Sequence, residues 1–402
     1  MRTALTLLAL SCASLPFCQA QSWTELSTGI TTPLRDVFFI TEGKGWAVGD
    51  QGVILTTADG GDSWTPQVSG ISTATFRSVF FTSANTGWTV GSYNTLRSTT
   101  DGGATWNMFS SGPSTQEFRD VFFPSPTTGY IVGGNGSSGF VKRTTDGGAN
   151  WATTIISGSP LESVHFTSEN EGWACGRLGV IYHTSNGVDW TQQVGPGPNI
   201  TYNFNTIFML SDTEGWACGD PYNIKHTVDG GTTWTGEASG TYAGKTGLYF
   251  SSDGSGWATT TSSLGGGQPI RQTSDGTTWT ELPLTLPTVH NLFFFHDTLG
   301  WTVGDNGSMV RYGTPSVTSG IAAEPERTVV RVFPNPVADL LMIASARPIV
   351  SATVTDATGQ LALFRNGPVS ALDVSRLAPG SYTLSLSLLN GASPLVERFV
   401  KE

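Results

Sequence analysis

Thr99-Thr-Asp-Gly-Gly-Ala-Thr-Trp106 is a phrase that this chain writes six times. Its other copies are Thr57-Ala-Asp-Gly-Gly-Asp-Ser-Trp64, Thr144-Thr-Asp-Gly-Gly-Ala-Asn-Trp151, Thr184-Ser-Asn-Gly-Val-Asp-Trp190, Thr227-Val-Asp-Gly-Gly-Thr-Thr-Trp234 and Thr273-Ser-Asp-Gly-Thr-Thr-Trp279. The acidic or amide positions Asp59, Asp101, Asp146, Asn186, Asp229 and Asp275 lie 42, 45, 40, 43 and 46 residues apart. A fixed period of that length holds four short strands, so it predicts propeller blades rather than a helical repeat.

A second marker runs in phase with the first. Gly-Trp or Gly-Tyr ends at Trp46, Trp88, Tyr130, Trp173, Trp216, Trp257 and Trp301, which makes seven units. The seventh stops near Gly313 without its own Asp turn, while Ser22-Trp23-Thr24 at the other end reads like Ser63-Trp64-Thr65. An N-terminal strand is therefore expected to complete the last blade, which removes two open sheet edges. The expected fold is all-β: a seven-bladed propeller over 21–313, closed by that strand and followed by a small β-sandwich.

The repeated residues serve the fold. An Asp or Asn at a tight turn bonds its own downstream backbone, and the glycines supply positive φ. Trp64, Trp106, Trp151, Trp190, Trp234 and Trp279 are large enough to fill the wedge between sheets. These segments resemble the Asp-box of sialidases and other propellers, which implies a structural role away from the active face.

Composition narrows the function. With 50 glycines, 13% charged residues and a net charge of -11, the chain offers no basic stripe for nucleic acid. No apolar run is long enough to span a bilayer as a helix. Residues 1–20 read as a secretory signal, with Arg2 ahead of a short apolar stretch and a cleavage site after Ala20. Cys175 and Cys218 occupy the slot held by Val48, Val90, Val132 and Val303 in other repeats, so they read as core hydrophobes rather than a disulfide. The histidines are scattered over the repeats without zinc or EF-hand spacing, so no metal and no cofactor is expected.

Between 314 and 327 the repeat gives way to a linker rich in Pro, Ser, Gly, Ala and Glu. Residues 328–402 then carry Val332-Phe-Pro-Asn-Pro336, Val354-Thr-Asp-Ala-Thr-Gly359, Leu372-Asp-Val-Ser-Arg-Leu-Ala-Pro-Gly-Ser-Tyr382 and Arg398-Phe-Val-Lys401. This segment resembles the type A C-terminal sorting domain of the type IX secretion system. The resemblance implies that 328–402 engage the secretion machinery, with release or anchoring at the cell surface.

The repeats as a whole, with Gly45-Trp-Ala-Val-Gly49 and Thr99-Thr-Asp-Gly-Gly-Ala-Thr-Trp106 as examples, resemble the photosystem II stability and assembly factor family. That resemblance covers nearly all of 22–313 and implies a propeller that binds protein and does no chemistry.

One repeated slot varies. Eleven residues before each Gly-Trp aromatic stand Arg35, Arg77, Arg119, Glu162, Asn205, Thr246 and His290. Each opens an apolar segment expected to be the innermost strand, with its start at the channel mouth opposite the Asp turns. Ring closure would bring His290 beside Arg35, so Arg35, Arg77, Arg119 and His290 are expected to form a basic arc for a carboxylate or phosphate on a protein or glycan ligand. The plain alternative pairs each arginine with a local acid such as Asp36 or Asp120. An enzymatic alternative is a sialidase-like or glucan-active glycoside hydrolase. It would draw on Tyr202, Tyr222 or Tyr242, or on Asp36, Asp50, Asp220 or Asp305, although Asp50-Gln-Gly and Asp305-Asn-Gly read more simply as hairpin turns.

Overall fold

The computed structural model describes residues 22–109, 115–195, 202–219, 223–238, 244–251, 253–260, 270–282, 284, 286–315, 330–345, 349–358, 360–366, 369–388 and 395–402. The signal reading of residues 1–20 and almost all of the linker reading lie outside them, as do Tyr222, Tyr242 and Asp220.

Every repeat folds as an antiparallel four-stranded sheet, and seven such sheets lie between Trp23 and Tyr312. Their innermost strands are Leu34–Phe39, Phe76–Phe81, Glu117–Phe122, Leu161–Phe166, Phe204–Met209, Lys245–Phe250 and Val289–His296. Each packs against the next, and Leu34–Phe39 also packs against Val289–His296, so the succession closes on itself. The seventh sheet takes its outer strand from the N-terminal side, with Trp23 opposite Tyr312 and Leu26 opposite Met309. That pairing covers the strand edge that Met309–Tyr312 would otherwise leave open.

Aromatic stacking explains the in-phase markers. Trp46 lies flat on Phe81 of the next sheet with centroids 3.4 Å apart, and Trp106 meets the edge of the same phenyl ring at 5.9 Å. Trp301 does the same to Phe39 at 3.6 Å, carrying the pattern across the closure. The glycine before Trp46 makes room for this: a Cβ on Gly45 would sit 2.6 Å from the Phe39 ring. Trp46, Trp173 and Trp301 also donate their indole N–H to the carbonyls of Gly102, Gly230 and Gly60, which belong to the Asp turn of the following sheet. Stack and hydrogen bond together latch neighbouring sheets.

The Asp turns are self-contained. Asp59 accepts the backbone N–H and the hydroxyl of Ser63, while Thr57 donates to Asp59 and accepts the N–H of Gly61 at 3.0 Å. The copies around Asp101, Asp146 and Asp229 repeat this geometry. Cys175 and Cys218 are buried and are not joined in a disulfide.

Toward the C-terminus, Val330–Phe333, Leu340–Ser345 and Ala371–Asp373 form a three-stranded sheet. Leu361–Asn366, Ile349–Asp356, Gly380–Leu388 and Leu395–Lys401 form a four-stranded one. Both contribute to one core of Leu341, Ile343, Val354, Leu372, Leu384, Leu386 and Phe399.

Candidate functional site at the channel mouth

In all seven innermost strands the register slips at the same place, between Leu34 and Asp36, Phe76 and Ser78, Phe118 and Asp120, Leu161 and Ser163, Phe204 and Thr206, Lys245 and Gly247, and Val289 and Asn291, and the seventh slips once more near its end. The skipped residue is the varied slot: Arg35, Arg77, Arg119, Glu162, Asn205, Thr246 or His290. A β-bulge leaves one residue unpaired and re-aims its side chain. In six of the seven sheets a closing glycine makes room for the bulge, as at Gly49, where a Cβ would lie 2.1 Å from the carbonyl of Pro33; the sixth sheet has Thr260 there instead.

The seven bulged side chains converge. Together with Ser78, Asp120, Ser163, Thr206 and Asn291 they line one cavity of about 280 Å³. The second strand of each sheet runs back to this end, so Asp50 sits here, whereas the Asp turns follow the third strand at the opposite end.

Just inside the bulges lies a buried polar girdle. Asp36 accepts the N–H of Val37 and of Val79 in the next sheet, each at 2.8 Å, and the amide of Asn291 across the closure at 2.6 Å. Asp120 accepts the hydroxyls of Ser78 and Ser163 and the N–H of Val164. Burial pushes the Asp36 carboxyl up to about 7, against the pull of these donors, and raises that of Asp120. Deeper still, Phe38, Phe80, Phe122, His165 and Phe208 contact one another in succession around the axis, at centroid distances from 4.8 to 5.3 Å. Burial lowers the His165 imidazole to about 4, so it joins this collar as a neutral ring.

Asp36 and Asp120 therefore do not pair with the arginines; they hold backbone N–H groups between sheets. The acids that stand at the mouth are others. Arg35 makes a two-pronged bond to Asp50, at 2.9 and 2.6 Å. His290 lies 2.7 Å from Asp305 and 2.9 Å from Arg35, as ring closure implied. Arg177 binds Glu162 at 2.8 Å. Burial, with Arg35 beside it, lowers the His290 pKa, so His290 is neutral at neutral pH and is no cation there. The arc is interleaved with carboxylates rather than one-signed.

Two arginines stand apart. Among the described residues, Arg77 reaches only Glu117 as an acid partner, at 3.5 Å, and Arg119 only Glu162, at 3.6 Å. Each has a buried Nε–H with no hydrogen-bond partner among the described residues. Superposing the motifs gives the reason. The residue after the closing glycine is Asp50 in the first sheet, Arg177 in the fourth and Asp305 in the seventh, each complementary to its own bulged residue. In the second and third sheets that position holds Ser92 and Gly134, so Arg77 and Arg119 have no acid in the turn of their own sheet and reach only loosely to Glu117 and Glu162. Burial and the neighbouring Arg119 lower the Arg77 pKa, and Glu117 and Glu162 only partly oppose them. The sequence reading missed Asp50, Asp305 and Arg177 as rim partners, although the phase of the Gly-Trp motif marks all three.

Comparison with known proteins identifies the fold. The WD40 β-propeller domain of Doa1 superposes with a TM-score of 0.53 at 15% identity, covering 73% of this chain and 96% of that one. The structure is an all-β propeller. Residues 15–112, 111–195 and 161–241 match the family of the photosynthesis system II assembly factor YCF48, and the chain belongs to that family. A YCF48 bound to a D1 peptide has a TM-score of 0.60 and 22% identity, covering 73% of this chain and 97% of that one. PorZ, a surface component of the type IX secretion system of Porphyromonas gingivalis, has 0.54 and 14%, covering 92% of this chain and 59% of that one. No curated protein matches. Residues 331–402 match the secretion system C-terminal sorting domain. The protein is thus exported by the type IX route, to the medium or the cell surface.

Proposed function

We propose that the chain is an exported, non-catalytic binding protein. Its seven sheets are the blades of one propeller closed by Trp23–Leu26, and its mouth takes an anionic group of a partner on Arg77 and Arg119. The observation that carries this reading is the pair of adjacent sheets whose bulged arginines lack the complementary residue present in the first, fourth and seventh. A guanidinium without a hydrogen-bonded acid keeps its planar fork for an incoming carboxylate. The peptide-bound YCF48 relative supports a peptide as the partner.

The glycosidase alternative finds less support. No tyrosine lines the cavity among the described residues. Tyr202 packs on Phe204 instead, with centroids 5.7 Å apart, and the lining carboxylates Asp120 and Glu162 are engaged by hydroxyls, backbone or Arg177.

The test is fluorescence anisotropy with a labelled acidic peptide, comparing the natural chain with Arg77→Ala/Arg119→Ala. Affinity is expected to fall by about 1.5–3 kcal/mol for each charged hydrogen bond lost, and to weaken with salt. Equal affinity in the double variant removes the site. The two sheets of 328–402 are proposed to form a sandwich acting as the export tag. Its removal is expected to leave a folded propeller in the periplasm, and unimpaired export of the truncated chain would refute the assignment.

A further inference from the structure

Four turns on the mouth face have the same shape but break the same rule to different degrees. After the second strand, Gln51-Gly52, Tyr93-Asn94, Leu178-Gly179 and Asn306-Gly307 all have positive φ at both residues. This is the mirror-image hairpin turn that favours Asn-Gly. The seventh sheet obeys with Asn306. The second and fourth put a tyrosine at φ 57° and a leucine at φ 59°, bulky residues that the left-handed region disfavours. Both side chains are also substantially open to solvent, Tyr93 at 64% and Leu178 at 47% exposure, so burial among the described residues returns little for the strain. A local rule broken twice without a structural gain marks a functional position.

Their placement is not random. The N–H of Tyr93 donates to Glu117, whose carboxylate is the loose partner of Arg77. Leu178 follows Arg177, which shares Glu162 with Arg119, and its own N–H donates to Asn203. These contacts form a chain in which Tyr93 adjoins Glu117, the partner of Arg77, and Leu178 follows Arg177, which shares Glu162 with Arg119. An exposed apolar side chain thus stands next to the loose ion-pair partners of both arginines.

Building on the anion site proposed above, we infer that this rim reads an extended segment of a partner protein in which an acidic residue is flanked on both sides by apolar side chains. The carboxylate enters between Arg77 and Arg119, while the flanking residues cover Tyr93 and Leu178. Apolar contact on each side of a charged anchor excludes water from the ion pair, the arrangement that makes an interface residue count. A free carboxylate or an acidic sugar would use the arginines alone.

The experiment uses the full chain and two labelled peptides capped at both ends, one centred on Phe-Glu-Leu and one on Gly-Glu-Gly. The Phe-Glu-Leu peptide is expected to bind about tenfold more tightly, from the apolar area it covers. Tyr93→Asn/Leu178→Asn removes that advantage while leaving the Gly-Glu-Gly affinity intact and the melting temperature unchanged or raised, because asparagine accepts the left-handed turn as Asn306 does. Arg77→Ala/Arg119→Ala weakens both peptides. Equal binding of the two peptides by the natural chain overturns the inference but leaves the anion site standing. Binding of neither, or of both undiminished by the arginine change, overturns the two together. Sialyllactose outcompeting Phe-Glu-Leu, with no effect of Tyr93→Asn/Leu178→Asn, replaces the peptide reading with a glycan one.

Discussion

The two ends of the ring are built on opposite plans. At the Asp-turn end one solution is repeated almost unchanged, and each carboxylate is spent on its own loop, as Asp101 is on Thr105 and Thr99. At the mouth one geometry is repeated, the bulge, but the residue placed on it differs from sheet to sheet. Repetition of a residue marks what the fold needs. Repetition of a position with a changing residue marks where the fold presents chemistry.

The largest effect that could break this contrast lies between the ends. Trp46→Ala removes a buried indole stacked on Phe81 and bonded to Gly102. About 3–5 kcal/mol of stability should go with it, read from urea denaturation. A loss below about 1 kcal/mol would show that the repeated aromatic is not what latches the sheets.

The girdle sharpens the contrast because it lies beside the mouth yet belongs to the fold. The Asp36 carboxyl titrates at about 7 in the folded protein and near 4 in an unfolded chain. Between those values the folded state holds a proton that the unfolded state has released, so stability falls as pH rises from about 4 to 7. The effect is on the order of a few kcal/mol. Asp36→Asn should flatten that part of the melting-temperature profile between pH 5 and 8. An unchanged slope would mean that Asp36 is ionised throughout, its charge held by Val79 and Asn291.

A smaller effect tests the Asp-turn end itself. Thr57 is buried, and its hydroxyl both accepts the Gly61 N–H and donates to Asp59. Thr57→Val leaves that N–H without a partner, at a cost of about 1–2 kcal/mol. Peptide affinity at the far mouth should not move. A coupled loss of binding would mean that the two ends are not independent.

Much of this was legible in the sequence. The Asp turns, the Gly-Trp phase, the pairing of Trp23 with the last repeat and the convergence of Arg35, Arg77, Arg119 and His290 all follow from superposing repeats. Pattern alone hid which partners each side chain takes. Asp36 and Asp120 look like salt-bridge partners because they adjoin an arginine. The bulge turns them onto the N–H groups of Val79 and Val164 instead. Asp50 and Asp305 look like turn residues and are, but the same turn delivers their carboxylates to Arg35 and His290. A backbone irregularity has no signature in a hydrophobic pattern, so a reading built on alternation could not aim these side chains.

The smallest stability effect carries the most about function. Arg35 and Arg77 occupy the same slot, but Arg35 is bonded twice to Asp50 while Arg77 has one loose contact with Glu117. Arg35→Ala should cost about 1 kcal/mol of stability, the upper range for a partly exposed pair, and leave acidic-peptide affinity nearly intact. Arg77→Ala should change stability by no more than about 0.5 kcal/mol and weaken the peptide by about 1.5–3 kcal/mol. Burial keeps His290 neutral above its lowered pKa. Affinity should therefore stay level between pH 6.5 and 8, instead of declining as it would if a histidine cation held the anion. Should Arg77→Ala destabilise the protein as much as Arg35→Ala and leave the peptide bound, the missing acid beside Arg77 has no functional meaning, and the mouth is one more structural ring.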